Sequence, residues 1–449
     1  MSGPVQIVGG GLAGAECAYQ LARRGVAVVL HEMRPERSTP AHKTGDLAEL
    51  VCSNSLRSDD PLHAAGLLKR EMERFDSLII ASARAAAVPA GNALAVDRDR
   101  FAQRVTTTLA ALPGLEIRRG EVTELPAGDV VLATGPLTSP AMARRLQELL
   151  GADHLYFYDS IAPIVDGASL DRAPLFWASR WGKGGDDYLN VPLDREAYLA
   201  FHRELVAAEV QPLHDFERAL FFEGCLPIEE LARRGVDTPR FGPMKPVGLV
   251  APDGARPYAV VQLRRESLAR DHFNMVGFQS RLKWPEQKRV FGTLPGFAAA
   301  SFVRLGQVHR NTFVNAPAHL DRCYRLRELP RIRLAGQITG VEGYLESAAT
   351  GLAIGLYLSA ERHRRALEPF PPTTALGALA RHLTASDVRD FQPANINYGL
   401  FADLESRVPR KRRRSAYAER AWSALGRWAD AAGLELAEVA APGGARASA

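Results

Sequence analysis

A chain of 449 residues is longer than one hydrophobic core usually supports, so two or three structural units are expected. Charged residues make up 24% and hydrophobic residues 46% of the sequence, which excludes a disordered or fibrous protein. The net charge of +5 permits a polyanionic partner without requiring one. No apolar run approaches the roughly 20 residues that span a bilayer, and the N-terminus lacks the features of a signal peptide, so we expect a cytoplasmic protein that does not engage a membrane.

The first predicted elements form a strand, a helix and a second strand within PVQIVGGGLAGAECAYQLARRGVAVVLHE. Gly9 permits a tight turn, Gly11 allows a pyrophosphate to approach the backbone, and Gly14 allows close helix packing. The helix N-terminus supplies amides and a positive dipole to the phosphates. The second strand, Val26 to Leu30, leads to Glu32, which is placed to accept the ribose hydroxyls of an adenosine. This complete unit predicts a dinucleotide-binding site.

Four cysteines are spread along the chain: Cys17, Cys52, Cys225 and Cys323. Their spacing argues against a structural zinc site and against a disulfide framework, so no metal site is predicted. Cys17 lies among alanines of the first helix, where a small thiol is expected in the core. Cys52 lies in the polar stretch ELVCSNSLRSDD, which has no apolar periodicity that would bury it. A spectator thiol in a surface turn and a reactive thiol both fit that pattern.

Two later strands are predicted to end in glycine turns. The segment DVVLATG ends at Thr134 and Gly135, and RLAGQITGVEGY carries Gly336 and Gly340 before a helix predicted from Leu345 to Leu358. This order of elements resembles the FAD-binding domain of two-dinucleotide-fold flavoproteins, in which the N-terminus of the last helix points at the flavin. The resemblance favours FAD over NAD as the resident cofactor.

Between the two halves of this fold the pattern changes to short strands, Pro/Gly turns and scattered helices. In YAVVQLRRES, one set of residues (Tyr258, Val260, Gln262 and Arg264) alternates with another (Ala259, Val261 and Leu263), as expected for a strand with one face on a core. We therefore predict an α/β fold in which an FAD-binding, Rossmann-like domain (1–160 and 329–430) is interrupted by an α+β insertion domain for substrate (161–328). Helices complete the C-terminal part, and a disordered tail is predicted at 431–449.

Ten motifs together resemble the folate- and FAD-dependent tRNA (uracil-5-)-methyltransferase family: GGGLAGAECAYQLARRG, VCSNSLRSDD, PAGNALAVDRDRF, ATGPLTS, FFEGCLPIEELARRG, RFGPMKPVGL, YAVVQLR, NMVGFQSRLKWPEQKRVF, HRNTFVNAP and AGQITGVEGYLESAATGLAIG. The resemblance extends from Pro4 to Phe401 and leaves only the tail beyond about Arg414 unaccounted for. It is far more specific than any single motif.

The resemblance implies an activity. Members of the family transfer a methylene group from methylenetetrahydrofolate to the T-loop uridine of tRNA (position 54), giving 5-methyluridine, with reduced FAD and NAD(P)H as reductants. The implied partner is tRNA, through its T-arm, and no obligate protein partner is expected. The two functional cysteines of the family fall on Cys52 in VCSNSLRS and Cys225 in FFEGCLP. Some members carry a further cysteine in the stretch that matches YLNVP, where this chain has Val191, so a mechanism that needs a third thiol there is not supported.

Two thiols fit this chemistry, because C5 of uracil is a poor nucleophile until a thiolate adds to C6. A base then removes the C5 proton, and a hydride reduces the methylene group to methyl. Cys225 lies before Pro227 and a helix predicted to start near Ile228, whose N-terminus would activate the thiol. Cys52 has Arg57 nearby in sequence. We predict Cys225 as the nucleophile and Cys52 as the proton acceptor, and the reverse assignment remains open.

Basic residues beside aromatic or polar ones predict RNA contacts at five positions: Lys245, Arg281, Lys283, His309 and Arg310. Such groups bind phosphate while neighbouring rings stack on unpaired bases. The alternatives are a solvated basic face for the first three, and a flavin contact or a polar strand end for His309 and Arg310. The run RKRRR, 410–414, predicts unspecific contact with tRNA, against the alternative of a solvated helix end.

Two other functions remain possible at this stage. One is a flavin-dependent protein that modifies the wobble uridine of tRNA, although that family has an extra C-terminal helical domain for which this chain has no room. The other is a flavin-bound RNA-binding module in which catalysis is secondary. Replacing both Cys52 and Cys225 separates the module from the methyltransferase, because only catalysis requires the thiols.

Overall fold

The computed structural model describes residues 3–39, 41–151, 154–160, 162–211, 226–267 and 269–442, with the backbone alone for 154–160 and 308–312. Its strands are β1 (Val5–Val8), β2 (Val28–Glu32), β3 (Ser55–Ser58), β4 (Ala87–Val88), β5 (Ala93–Val96), β6 (Leu115–Arg119), β7 (Val130–Leu132), β8 (His154–Ser160), β9 (Ile164–Asp166), β10 (Phe176–Trp177), β11 (Tyr188–Leu193), β12 (Ala259–Arg265), β13 (His272–Met275), β14 (Phe302–Arg304), β15 (Val308–Val314) and β16 (Ile332–Leu334).

The helices of the described residues are α1 (Leu12–Ala22), α2 (Ala64–Glu73), α3 (Leu78–Ala85), α4 (Arg98–Ala110), α5 (Pro140–Leu150), α6 (Arg195–Ala207), α7 (Ile228–Arg234), α8 (Thr238–Phe241), α9 (Trp284–Phe291), α10 (Ala316–His319), α11 (Tyr344–Arg362), α12 (Ala375–Ala385) and α13 (Arg413–Ala432). No helix in this part of the chain has the length and apolar character needed to cross a bilayer.

A five-stranded parallel sheet organises the nucleotide-binding part of the molecule. Its strand order is β16-β7-β1-β2-β6, so the chain returns to the first sheet with β16 after the long middle region. The Val, Ile and Leu residues of β1, β7 and β16 are almost completely buried, as expected for strands covered on both faces, with Gln6 and Arg333 as the polar residues among them. The predicted FAD-binding, Rossmann-like fold class is confirmed.

Helices α1 and α11 pack against each other beside this sheet. A Cβ atom on Gly351 would lie 2.1 Å from the carbonyl oxygen of Ala13, and one on Gly355 would lie 2.6 Å from the Cβ of Gln20. The two backbones therefore approach each other at a distance that only glycine allows. Cys17 of α1 is fully buried, and burial raises the pKa of its thiol, in agreement with the predicted core position.

The middle region contains a six-stranded sheet of order β10-β11-β12-β13-β9-β14, whose strand pairs are antiparallel. It has its own apolar core, built around Phe201, Phe278 and Phe291. The prediction that β12 has only one buried face is wrong, because Gln262 and Arg264 are buried as well. Their side chains donate to Asn190 (3.1 Å) and Asn54 (2.8 Å), so hydrogen bonds compensate for the burial.

The C-terminal segment folds back onto the first part of the chain. Trp428 of α13 packs on Phe370, with ring centroids 4.3 Å apart. Leu434 and Leu436 lie in the segment predicted to be a disordered tail, yet both pack against the main core. The apolar side chains of these residues explain why order extends beyond the end of α13.

Candidate active site

A cavity opens at the carboxyl ends of β1, β2 and β7, where parallel strands of such a sheet bind ligands. Its lining includes backbone and side chains from each predicted cofactor segment: Val8, Gly9, Gly11, Leu12, Ala13, His31, Glu32, Arg34, Glu49, Val51, Glu121, Thr134, Gly135, Thr138, Gly336, Gln337, Tyr344 and Ser347. Six separate stretches of sequence thus meet around one space.

The three glycines of the first turn have separate structural roles. Gly9 has a φ of +106°, a conformation that favours glycine. A Cβ atom on Gly14 would lie 1.9 Å from the carbonyl oxygen of Gly9, so this position is closed by the turn itself. A Cβ atom on Gly11 would meet nothing within 4 Å. Gly11 is the N-cap of α1 and has no side-chain cap, which leaves the amides of the first helical turn for a ligand.

Glu32 lies at the end of β2 and is held by Arg34. Its two carboxylate oxygens accept from the backbone of Gly10 (2.9 Å) and from the backbone and guanidinium of Arg34 (2.9–3.1 Å). Burial by itself raises the pKa of Glu32, but the hydrogen bonds and charge of Arg34 outweigh it, so the pKa is lowered. Because a carboxylate has about four acceptor sites, a ribose hydroxyl must replace one of these donors.

Six of the eight residues predicted to bind the cofactor line the cavity: Gly9, Gly11, Glu32, Thr134, Gly135 and Gly336. Gly14 lies beneath the turn, and Gly340 lies against Phe391, 2.5 Å from the position of a Cβ atom. Gly340 therefore serves packing at the end of the 3-10 turn Gly336–Thr339 rather than the cavity wall. Arg34 lines the cavity without having been predicted, because nothing in HEMRPER marks it as a partner of Glu32.

The loop that carries Cys52 is bound to the cavity wall through Tyr344. The backbone N–H groups of Cys52 and Ser53 donate to the Tyr344 hydroxyl at 2.6 and 3.1 Å. Tyr344 lines the cavity, as does Val51, the residue before Cys52. Burial, followed by the negative charge that Cys52 can carry, raises the pKa of Tyr344. The thiol-bearing loop and the glycine-lined cavity are therefore adjacent.

Two arginines from distant parts of the chain hold the same loop. Arg98 donates to the carbonyls of Leu50 (2.5 Å) and Cys52 (3.1 Å), and Arg304 donates to those of Val51 (2.8 Å) and Cys52 (3.0 Å). Burial opposes the charge of Arg98, but its ion pair with Glu266 keeps its pKa raised. Burial and the charge of Arg98 lower the pKa of Arg304 to about 10. Both arginines interact electrostatically with Cys52.

Sequence reasoning assigned the cation beside Cys52 to Arg57, and the structure gives Arg57 a different partner. Its guanidinium forms an ion pair with Glu346, a fully buried residue of α11 whose pKa is raised by burial. Arg98 and Arg304 were missed because they lie 46 and 252 residues from Cys52. The only sequence signal for Arg98 is its place in the family motif PAGNALAVDRDRF.

The second predicted cysteine, Cys225, lies outside the described residues, as do the side chains of His309 and Arg310. The helix predicted after Cys225 is present as α7, with Pro227 as its N-cap. Among the described residues, no group of three or more His, Cys, Asp or Glu side chains is arranged to hold a metal ion.

The remaining predicted RNA contacts lie on the middle region. Lys245 is exposed, four residues after Phe241, whose exposed ring lies at the end of α8. Arg281 forms an ion pair with Glu230 of α7, and Lys283 forms one with Glu209 (2.6 Å). The charges of Arg281 and Lys283 are thus partly used to join elements of this region. The cavity wall does not include any of the three.

This architecture resembles that of known proteins. A family model described as GIDA, glucose inhibited division protein A, matches residues 4–366. Two structures of Aquifex aeolicus GidA, from the form II and form I crystals, align with TM-scores of 0.66 and 0.65 at 14% and 15% identity. They cover 95% and 85% of this chain and 73% and 69% of their own chains. At this identity they support the fold alone.

Relatives at much higher identity carry the name methylenetetrahydrofolate--tRNA-(uracil-5-)-methyltransferase TrmFO. The protein of Pelobacter propionicus is 54% identical over 449 residues, 99% of this chain and 99% of its own. Those of Geobacter sulfurreducens and Moorella thermoacetica are 56% and 55% identical, each over 95% of this chain and 99% of its own. The chain therefore belongs to the GIDA family and to the TrmFO family of methylenetetrahydrofolate--tRNA-(uracil-5-)-methyltransferases.

Proposed function

We propose that the protein methylates C5 of the T-loop uridine (position 54) in tRNA, with methylenetetrahydrofolate as carbon donor, FAD as resident cofactor and NAD(P)H as reductant. The observation that carries the proposal is the contact between the Cys52 loop and the glycine-lined cavity through Tyr344. A thiol-bearing loop beside a dinucleotide cavity is the arrangement that uracil activation and reduction both require. The names of the relatives agree with it.

The cavity residues fit FAD. The open space in front of Gly11 and the uncapped N-terminus of α1 suit a pyrophosphate, and Glu32 suits the adenosine ribose. Thr134, Gly135 and Gly336 complete the walls of the cavity on the side of Tyr344. FAD, when bound, supplies the hydride that turns a methylene group into a methyl group.

Cys52 is proposed to take the C5 proton, while Cys225 adds to C6 of the uracil. The backbone of Cys52 is fixed by Tyr344, Arg98 and Arg304, so its side chain is held on a defined loop rather than on a free turn. The two guanidinium groups favour a negative charge on the sulfur, which suits a proton acceptor. Methylation then needs one proton removed from C5, one hydride delivered to the new carbon, and departure of the Cys225 thiolate from C6, which restores the C5–C6 double bond.

We also propose where tRNA binds on the protein and where in the cell the reaction takes place. The T-arm of tRNA is proposed to bind across the middle region, where Lys245 and Phe241 are exposed, and 161–328 is proposed as the substrate domain. His309 and Arg310 are proposed to contact RNA from β15. Activity in the cytoplasm, without an obligate protein partner, agrees with a tRNA substrate. Modification of the wobble uridine receives less support, because the relatives at 54% to 56% identity are named uracil-5-methyltransferases.

Label transfer to unmodified tRNA tests this proposal. Purified protein is given methylenetetrahydrofolate labelled in its one-carbon unit together with NAD(P)H, and in a parallel reaction labelled S-adenosylmethionine. We expect 5-methyluridine to carry label only from the folate. Label from S-adenosylmethionine, or from neither donor, would contradict the proposed reaction. Release of flavin on denaturation, identified by chromatography, tests the cofactor separately.

A further inference from the structure

Five consecutive cations, Arg410–Arg414, run through the turn before α13 into its first helical turn, and we call them the basic cluster. All five are exposed. Within the described residues, none of them forms an ion pair with a carboxylate, whereas the exposed Arg172, Arg233 and Arg289 of the middle region do. Five adjacent charges therefore stay without local compensation.

The position of the basic cluster is unfavourable for the helix itself. The N-terminus of a helix carries a positive partial charge, so cations there cost about 0.3–1 kcal/mol each at low ionic strength. The first turn of α13 has no acidic residue, and its N-cap, Arg412, makes no side-chain cap hydrogen bond. A sequence that breaks a local rule of helix stability in this way points to a use elsewhere.

The helix holds the basic cluster beside the segment that follows Cys52. Tyr417 of α13 stacks on Tyr398, with ring centroids 4.9 Å apart. The hydroxyl of Tyr398 donates to the carbonyl of Leu62 at 3.0 Å. Burial, and then the charge of Arg414, lowers the pKa of His63. The cluster is thus within electrostatic reach of a loop that begins about ten residues after the proposed catalytic thiol.

We propose that the basic cluster binds the phosphate backbone of the tRNA whose uridine reaches Cys52, an inference that rests on the proposed function. The five cations would neutralise phosphates without reading sequence, and release of condensed counterions would drive the association. The anionic backbone would also relieve the repulsion within the first turn of α13. The cluster is a positioning surface rather than part of the chemistry.

An RNA backbone suits this surface better than an anionic membrane does. Peripheral binding to lipid combines cations with exposed apolar anchors. The large exposed apolar residues of the described part lie at Trp181, Val236, Phe241, Val247, Val250, Trp284, Val303 and Val388. None of them belongs to the segment between Phe401 and Ala432, so the basic cluster has cations without anchors.

A variant with four changes tests the inference: Arg410→Gln, Lys411→Gln, Arg412→Gln and Arg413→Gln. Its matched control carries the same loss of charge at scattered exposed positions: Arg104→Gln, Arg144→Gln, Arg195→Gln and Lys288→Gln. Affinity for unmodified tRNA is measured by fluorescence over a range of salt concentrations. We expect the cluster variant to bind at least about ten-fold more weakly at low salt, with a salt slope smaller by about 3 to 4, at about one unit per phosphate contact.

Steady-state kinetics and stability complete the test. The cluster variant is expected to have a raised KM for tRNA with an unchanged kcat and an unchanged KM for the folate, and a melting temperature no lower than that of the wild type. If the wild-type protein methylates tRNA but the cluster variant keeps the wild-type affinity and salt slope, the inference is overturned while the proposed function stands. A wild-type protein without methylation would overturn the proposed function. Loss of binding to anionic phosphatidylserine vesicles, with tRNA affinity intact, would assign the cluster to a membrane instead.

Discussion

The glycine-lined cavity and the Cys52 loop share a wall at Tyr344 but differ in how they are built. Much of the cavity lining comes from the ends of three parallel strands, β1, β2 and β7, and the turns that follow them, each recognisable from a short stretch of sequence. The Cys52 loop depends on Tyr344, Arg98 and Arg304, which lie 292, 46 and 252 residues away. Local pattern therefore determines where the cofactor is held, whereas tertiary structure determines how the thiol is placed.

Replacing the thiol has the largest expected effect on activity. Cys52→Ala should lower the rate of methylation about 10²–10⁴-fold, the usual contribution of a positioned base, while tRNA affinity is kept. Cys323→Ala is the matched control, because Cys323 is a half-buried thiol outside the cavity. Label incorporation by both variants decides the point. Equal rates in Cys52→Ala and wild type would remove Cys52 from the mechanism.

A buried lysine that contacts the segment after Cys52 should make the stability of the protein depend on pH. Lys69 is fully buried and donates to the carbonyl of Ser58 at 2.7 Å, and burial lowers its pKa from 10.5 to about 7. Between these values the unfolded chain keeps a proton that the folded chain lacks, so stability rises with pH across this window. At about 1.36 kcal/mol per pKa unit, the rise amounts to at most about 4 to 5 kcal/mol. Chemical denaturation at pH 7 and pH 10 should show the rise in wild type and its loss in Lys69→Met.

Removing one arginine of the Cys52 loop should destabilise the protein. Arg98→Met leaves Glu266 without its ion pair and the Leu50 carbonyl without a donor, while the Cys52 carbonyl keeps only Arg304. The expected loss of unfolding free energy is about 3–5 kcal/mol, as for a broken buried pair. The double variant Arg98→Met/Glu266→Gln should recover part of it, which urea denaturation can measure. An additive loss would show that the ion pair is not the source of the effect.

Substitutions at two glycines of the first turn should distinguish an effect on stability from an effect on cofactor binding. Gly14→Ala places a Cβ atom against the carbonyl of Gly9 and should cost about 1–3 kcal/mol of stability with or without cofactor. Gly11→Ala meets no protein atom, so the apoprotein should unfold as wild type does while flavin is retained less well. Thermal unfolding of apo and flavin-loaded samples checks both. Equal flavin retention in Gly11→Ala would argue against a pyrophosphate at Gly11.

The smallest effect is expected at the wall that the two regions share. Tyr344→Phe removes the acceptor of the Cys52 and Ser53 N–H groups, at a cost of about 1 kcal/mol in stability. Because the loop then loses a positional restraint, kcat should fall while KM for tRNA stays constant. Tyr398→Phe, which loses a hydrogen bond to Leu62 away from the cavity, is the control. Loss of tRNA affinity in Tyr344→Phe instead would place the hydroxyl in substrate binding.

The sequence predicted much of the fold and only part of the site. The strand, glycine turn and helix of residues 4–32 have local causes, so they were predicted within two residues of the observed bounds of β2. Gly340 lies against Phe391 outside the cavity lining, and in sequence a glycine turn that packs in this way looks like one that faces a ligand. Arg98 reaches the Cys52 loop from α4 of the first region and Arg304 reaches it from the middle region, and no spacing rule contains either contact. The domain boundaries 1–160, 161–328 and 329–430 stay a prediction.

Covalent trapping tests the central claim that uracil reacts beside the Cys52 loop. A T-arm RNA with 5-fluorouridine at the target position is incubated with the flavin-loaded enzyme, folate and NAD(P)H, and the modified peptide is identified by mass spectrometry. We expect an adduct on Cys225 that persists in Cys52→Ala and is absent in Cys225→Ala. An adduct that survives Cys225→Ala on the peptide of Cys52 would reverse the two roles, and an adduct on neither cysteine would contradict the proposed mechanism.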